Sequence, residues 1–173
     1  MRSGHLSPLT WQFELTWKLA TIHLPQLTDE VCLWQPAPGS WTVRRGADGN
    51  WRPDWVVPEP EPAPVVTIGW LTWQMIWCWS GLLAAASQAT PPAHDAVYWP
   101  GSAAAVWQRL EELAAEHRSW LSQLTAADLD QSLAYPWTDP RPLGYALAWA
   151  NSELMKNVAE IGYVRHLFAA ARP

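Results

Sequence analysis

The sequence predicts an all-α protein: a four-helix bundle with a long proline- and tryptophan-rich crossover between its first two helices. Three observations carry this expectation. Four long stretches place apolar residues at helical spacing. Prolines mark the crossings between them, at Pro25, Pro91-Pro92 and Pro136 to Pro142. The composition, 173 residues with 49% hydrophobic and 16% charged, suits a packed core and not a disordered chain. We take residues 1–173 as one domain, with 35–64 as an ordered loop within it.

The first helix is expected from Thr10 to about Gln26, where Trp11, Leu15, Leu19 and Ile22 follow helical spacing and Pro25 ends it. The periodicity then disappears from Thr28 to Pro64. Seven of the sixteen prolines fall between Gln35 and Val65, with Trp41, Trp51 and Trp55. A flexible linker does not carry three tryptophans, so this is an ordered loop or lid. Trp41-Thr42-Val43 is a candidate short strand. The second helix is expected from Val65 to about Ser87. Ser102 suits the N-cap of the third, which runs to about Leu124 with Val106, Leu110, Leu113, His117, Trp120 and Leu124 on its core stripe. Thr125 can cap a short turn over Ala126 to Gln131. Pro142 suits the first turn of the fourth helix, which continues to about Ala170.

Several function classes are disfavoured. A net charge of −5 and the lack of any Lys/Arg cluster argue against nucleic acid as a partner. No charged residue occurs between Glu61 and Asp95, which approaches membrane-spanning length, but Thr67, Thr72, Gln74 and Ser80 interrupt it and no basic flank follows. No membrane partner is expected. Cys32 and Cys78 show no metal or redox spacing and suit a reducing compartment. Met1 to His5 carries no apolar signal core, so a cytoplasmic location is expected. There is no GxSxG, Walker, GxGxxG, HExxH or EF-hand pattern. The five histidines form no i, i+4 pair. His117 is expected as a satisfied core residue.

The fourth helix is the most informative element. Leu147, Leu154, Val158, Ile161 and Phe168 form an apolar stripe, and Ala148, Met155 and Ala159 cover much of the back. One seam is polar: Glu153, Lys156, Asn157 and Glu160, spaced i, i+3, i+4, i+7. It faces either water or a pocket. Gln74 poses the same question, as the only amide in the run Val65 to Ala86. Burying it without a partner costs roughly 1–3 kcal/mol, so it lies at an edge or meets a polar group, with Lys156 or Asn157 the candidate. Trp70, Trp77 and Gly81 share its face.

The segments Leu27 to Glu30, Trp34 to Pro38, Thr67 to Ile76 and Leu147 to Phe168 resemble the DinB-like (DinB/YfiT) superfamily over nearly the whole chain. The resemblance implies an up-down-down-up four-helix bundle with a long first crossover. Family precedent for cofactors is a divalent metal and a low-molecular-weight thiol. Metal-binding members take one ligand from the second helix and two from the fourth. The matching positions here are Gln74, with Ser152 and Lys156 in one register or Glu153 and Asn157 in the other. None is histidine, so no metal ligand and no cofactor is assigned. The ammonium of Lys156 would replace the missing positive charge between Glu153 and Glu160. The plainer reading is a solvated ladder worth a few tenths of a kcal/mol per pair. Periodicity alone favours the ladder, and the resemblance favours the cavity.

The expected function is binding of a small organic molecule, without metal, in a pocket lined by Trp70, Trp73, Trp77 and Trp149. Its polar floor is Gln74, Asn157, Glu160, Glu153 and Lys156, the last two the candidate acid–base residues. The rival readings are a metal-dependent thiol S-transferase or hydrolase and a non-catalytic interaction module. A monomer or a homodimer fits equally.

Overall fold

The computed structural model describes residues 6–172. Residues 1–5, on which the expectation of no signal core falls, lie outside it. The chain forms α1 (Leu6–His23), α2 (Asp29–Leu33), β1 (Val43–Arg45), β2 (Trp51–Pro53), α3 (Ile68–Ala86), α4 (Ala103–Gln123), β3 (Ser132–Leu133), β4 (Arg141–Pro142) and α5 (Leu143–Ala170). Four long helices are present and the strands are only two short antiparallel pairs, so the protein is an all-α bundle.

Side-chain contacts fix the helix directions. Asn151 Nδ2 donates to Leu9 O at 2.9 Å and to Gln12 Oε1 at 3.2 Å, and His23 lies against Gly162, so α1 and α5 run parallel. Trp17 stacks on Trp107, and Arg118 holds Glu14 with two hydrogen bonds of 2.7 and 3.0 Å, so α4 is antiparallel to α1. Leu82 packs with Ala146 and Ala150, while the charges of Glu153 and Lys156 act on Cys78, so α3 is antiparallel to α5. The order is up-down-down-up.

Local capping explains the boundaries. Thr67 Oγ1 accepts from Trp70 N and Ser102 Oγ accepts from Ala105 N, both at 3.2 Å, opening α3 and α4. The Asp29 carboxylate accepts from Ala103 N at 2.7 Å and ties α2 to the start of α4.

Five details differ from expectation. The first helix opens at Leu6, not Thr10, and its expected stripe of Trp11, Leu15, Leu19 and Ile22 is exposed, because Phe13, Thr16, Trp17 and Ala20 form the face that packs into the core. The segment after Thr28 holds the short helix α2, whose N-cap is Thr28, accepting from Val31 N at 3.3 Å. The strand begins at Val43, not at Trp41. Trp41 instead exchanges backbone hydrogen bonds of 2.9 Å with Val65 and Thr67, clamping the loop to the start of α3. Thr125 does not cap its turn by accepting. Its N–H and hydroxyl both donate to the Asp128 carboxylate, at 2.7 and 2.6 Å. Finally, Pro142 precedes the first turn of α5 and does not lie in it.

Candidate functional site

The antiparallel register of α3 and α5 sets Leu82 opposite Ala146 and Ala150, and Cys78 opposite Glu153 and Lys156. Moving one turn back along α3 and one turn on along α5 sets Gln74 opposite Asn157. Glu160 lies one turn further on the same flank. The polar seam of α5 is divided: Asn157 is buried, Glu153 and Glu160 are half-buried, and Lys156 lies on the water-facing side. Ala148, Ser152, Ala159 and Tyr163 take that side and Met155 is half-buried, so the expected apolar cover of the back is instead small residues open to water.

Burial grades along the seam. Asn157 is 1% exposed, the Glu153 side chain 24% and the Lys156 side chain 44%. Glu160 and Gln74 are half-buried. Lys156 Nζ donates to Glu153 Oε2 at 2.6 Å. Gln74 Oε1 and Asn157 Oδ1 are buried without a hydrogen-bond partner among the described residues. The candidate partnership of Lys156 or Asn157 with the Gln74 carbonyl is thus absent: Lys156 turns outward to Glu153, and the two amides leave both carbonyls unpaired.

Electrostatics follow from burial. Desolvation raises the Glu160 carboxyl above its usual range; Lys156 opposes this and Glu153 adds to it. Burial pushes the Cys78 thiol up to about 12, with Glu153 raising it further and Lys156 lowering it. Cys78 is therefore a neutral thiol at pH 7, not a nucleophile.

An aromatic wall stands beside Gln74 on α3. Trp70 and Trp77 flank it, and each spends its indole N–H on the covering loops: Trp70 on Asp54 O at 2.9 Å, Trp77 on Pro92 O at 2.9 Å. Trp73 donates to Val97 O at 2.8 Å and is fully buried behind them. Trp55, from the crossover, stacks on Trp70 at 6.2 Å and meets Trp77 edge-on at 5.4 Å. His94 stacks on Trp55 at 5.1 Å. Trp149 stands apart from this wall. Its ring contacts are Tyr135 at 5.8 Å and Trp137 at 6.2 Å, beside Leu82.

Tyr135 packs onto α3 next to Cys78. Its phenol donates to Cys78 O at 3.0 Å, and its ring lies against Gly81, where a Cβ would come within 2.6 Å of Tyr135 Cζ. Trp55, His94 and Tyr135 escaped the sequence reading. Only the glycine on the Gln74 face hinted that something approaches there.

A separate cleft of about 740 Å³ lies between the start of α1 and the end of α4, lined by Leu6, Thr10, Trp11, Glu14, Arg118 and Leu121 among others. Its Glu14–Arg118 pair is mutually satisfied, so it presents no polar group that needs a ligand.

The comparisons with known proteins bear on this pair of helices. The family model of the DinB superfamily matches residues 46–161, a span that holds Gln74 and all four seam residues. The chain belongs to the DinB superfamily. The crystal structure of a conserved protein from Enterococcus faecalis superposes with a TM-score of 0.64 at 14% identity, covering 96% of this chain and 97% of that one. That likeness shows the fold. No curated protein matches the chain.

The residues do not fit the divalent metal implied by DinB-like relatives. Gln74, Glu153 and Asn157 offer one carboxylate and two amide oxygens, and the other register offers Ser152 and an ammonium. Transition metals favour imidazole and thiolate. Among the described residues no three His, Cys, Asp or Glu side chains gather as a metal set. Among them also, no helix is long and apolar enough to cross a membrane.

Proposed function

We propose that the groove between α3 and α5 binds a small organic molecule and does so without a metal ion. The observation that supports this most is the pair of buried carbonyls, Gln74 Oε1 and Asn157 Oδ1, set opposite each other by the helix register and left unpartnered. A buried polar atom without a partner costs free energy. Two on facing helices, beside half-buried carboxylates and a tryptophan wall, have the make-up of a recognition floor. Trp70 and Trp77 supply the apolar wall, Trp73 backs it, and Trp149 with Tyr135 bounds the far end.

Glu153 and Lys156 are the proposed acid–base pair, and Glu160 joins them because its carboxyl is already raised by desolvation. Lys156 sets the charge between the two carboxylates; it does not stand in the groove as a substitute ion. We further read the protein as cytoplasmic, a monomer or homodimer, and without a nucleic-acid partner.

Elemental analysis and ligand-observed NMR test this reading together. The purified chain is expected to hold sub-stoichiometric zinc and nickel, and small aromatic ligands are expected to broaden and shift resonances of Trp77 and Asn157. Stoichiometric metal that disappears in Glu153→Ala, with no ligand response at Asn157, would favour a metal-dependent transferase or hydrolase instead.

A further inference from the structure

We propose that the outer face shared by α1 and α5 is a self-association surface: a second copy of this chain docks there, with α1 of one copy lying over α5 of the other. The proposal goes beyond the ligand reading above and does not depend on it.

The face is apolar where the water-facing side of a bundle helix is ordinarily polar. On α1 it carries the exposed stripe Trp11, Leu15, Leu19 and Ile22. Leu15 and Leu19 follow Gln12 by three and seven positions, and Gln12 accepts from Asn151, so the stripe adjoins α5. On α5, Ala148 and Met155 stand three before and four after Asn151, and with Ser152 and Ala159 they form a row of small or half-buried residues. Tyr145 and Tyr163 close the two ends of that row. The outer side of α4 shows the contrast, with Gln108, Glu111, Glu112 and Glu116 exposed.

The exposed area is of interface size. Among the described residues, six of the ten exposed large hydrophobic side chains lie on this one face. Trp11 and Tyr163 are each 65% exposed. With Leu15, Leu19, Ile22 and Tyr145 they leave roughly 600 Å² in water, the upper end for the largest patch on an ordinary monomer. The small residues of α5 extend the face toward the ~800 Å² that a stable interface takes from each partner.

Size and charge select a second copy as the occupant. Asn151 meets Leu9 and Gln12, and Gly162 meets His23, so an α1 residue is level with the α5 residue 139–142 positions later. A two-fold axis parallel to the helices keeps every residue at its own level and lays α1 on α5 of the second copy. Trp11 then falls beside Ser152 and Leu19 beside Ala159, large against small. An axis across the helices would instead set α1 on α1 and α5 on α5, large on large with a gap beside it. The parallel axis also brings the α4-side edge of α1 onto the α3-side edge of α5. The first edge carries exposed Lys18, which makes no salt bridge among the described residues. The second carries Glu153, Lys156 and Glu160, which sum to −1 when ionised, and Lys18 comes level with Glu160.

Sedimentation equilibrium of the full chain, with site-directed cross-linking, tests the proposal. A dimer of twice 19.5 kDa with a micromolar or tighter dissociation constant is expected. Ala159→Arg should weaken association by roughly a hundredfold at unchanged helix content, because it overfills the row that receives Leu19 while the alanine itself is exposed. Lys18→Glu should weaken it by roughly tenfold, since two symmetry-related pairs are reversed, and adding Glu160→Lys should recover most of the loss. The native Cys32 and Cys78 are buried, so introduced thiols report alone. Leu19→Cys and Ala148→Cys should each be joined to their own counterpart by a short bis-maleimide, which only an axis parallel to the helices permits for both. A chain that stays monomeric at submillimolar concentration overturns the proposal, as does a dimer indifferent to Ala159→Arg. So does a monomer that binds phosphatidylcholine vesicles with a blue shift lost in Trp11→Glu, which makes a lipid surface the occupant. Cross-linking of only one of the two cysteine variants overturns the placement of α1 over α5.

Discussion

Replacing Asn157 by leucine should make the protein more stable. The perturbation removes an amide that is 1% exposed and whose Oδ1 has no hydrogen-bond partner among the described residues. It substitutes an apolar group of nearly the same shape facing α3. An unsatisfied buried acceptor costs about 1–3 kcal/mol, and the leucine returns that cost together with some apolar burial. For a chain of this size each kcal/mol moves Tm by roughly 2–4 °C, so the expected rise is about 2–12 °C. Gln74→Met should act in the same direction but less, because Gln74 is only half-buried and its loss relieves less desolvation. The two sites face each other, so their effects should fall short of additive. Urea unfolding followed by far-UV circular dichroism measures this directly: the midpoint should rise with the slope unchanged. A loss of 1 kcal/mol or more in Asn157→Leu, with native helix content, would refute the reasoning, because it would show that the carbonyl is satisfied in the folded protein.

Other outcomes follow from the same geometry. His117 is buried among Phe13, Trp79 and Trp120 with its Nδ1 unpartnered, and burial lowers its pKa to about 4 from the ordinary 6.5. Between those values the unfolded chain takes the proton first, so stability should fall as pH drops through that window, by an amount on the order of 3 kcal/mol. His117→Phe should flatten the profile, as thermal unfolding across that range will show. The raised pKa of Glu160 works in the opposite direction. Above the ordinary 4.5 the unfolded state releases its proton first, so stability should decline as pH rises through the raised value, and Glu160→Gln should remove the decline. Gly81→Ala places a Cβ within 2.6 Å of the Tyr135 ring and should cost about 1–3 kcal/mol by displacing it; Gly81→Ala combined with Tyr135→Ala should recover much of the overpacking part. Lys156→Met should change stability by less than about 1 kcal/mol, since its partner Glu153 and Lys156 itself are both accessible to water.

Much of the fold was legible because apolar stretches of helical length separated by prolines leave few alternatives, but the spacing in α1 pointed to the wrong face: Trp11, Leu15, Leu19 and Ile22 are exposed while Phe13, Trp17 and Ala20 are buried. The 28-residue α5 and the 21-residue α4 start within a residue or so of their expected positions, since a proline and a serine cap mark them. The five-residue α2 was too short for periodicity, although Thr28-Asp29-Glu30 carries a helix-start signature. The β1–β2 hairpin turns at Asp48-Gly49, where Gly49 has φ +83°, a turn signal that the surrounding prolines obscured. Between α3 and α5, Gln74 and Asn157 stood out because an amide in an apolar setting demands a partner. Which side of α5 met water was not legible. Alanines tolerate solvent as well as the core does, so Ala148 and Ala159 gave no direction. Trp55, His94 and Tyr135 reach α3 and its tryptophans from distant segments, and only the folded chain brings them there.

The most direct test of the central claim is the side-chain carbonyl carbon resonances of Gln74 and Asn157, measured by NMR with and without small aromatic ligands. If the two oxygens are unpartnered in the free protein and receive a ligand, both resonances should start at positions typical of non-bonded amides and move downfield when a ligand binds. Resonances that are already downfield in the free protein, and stay fixed as ligands are added, would contradict it.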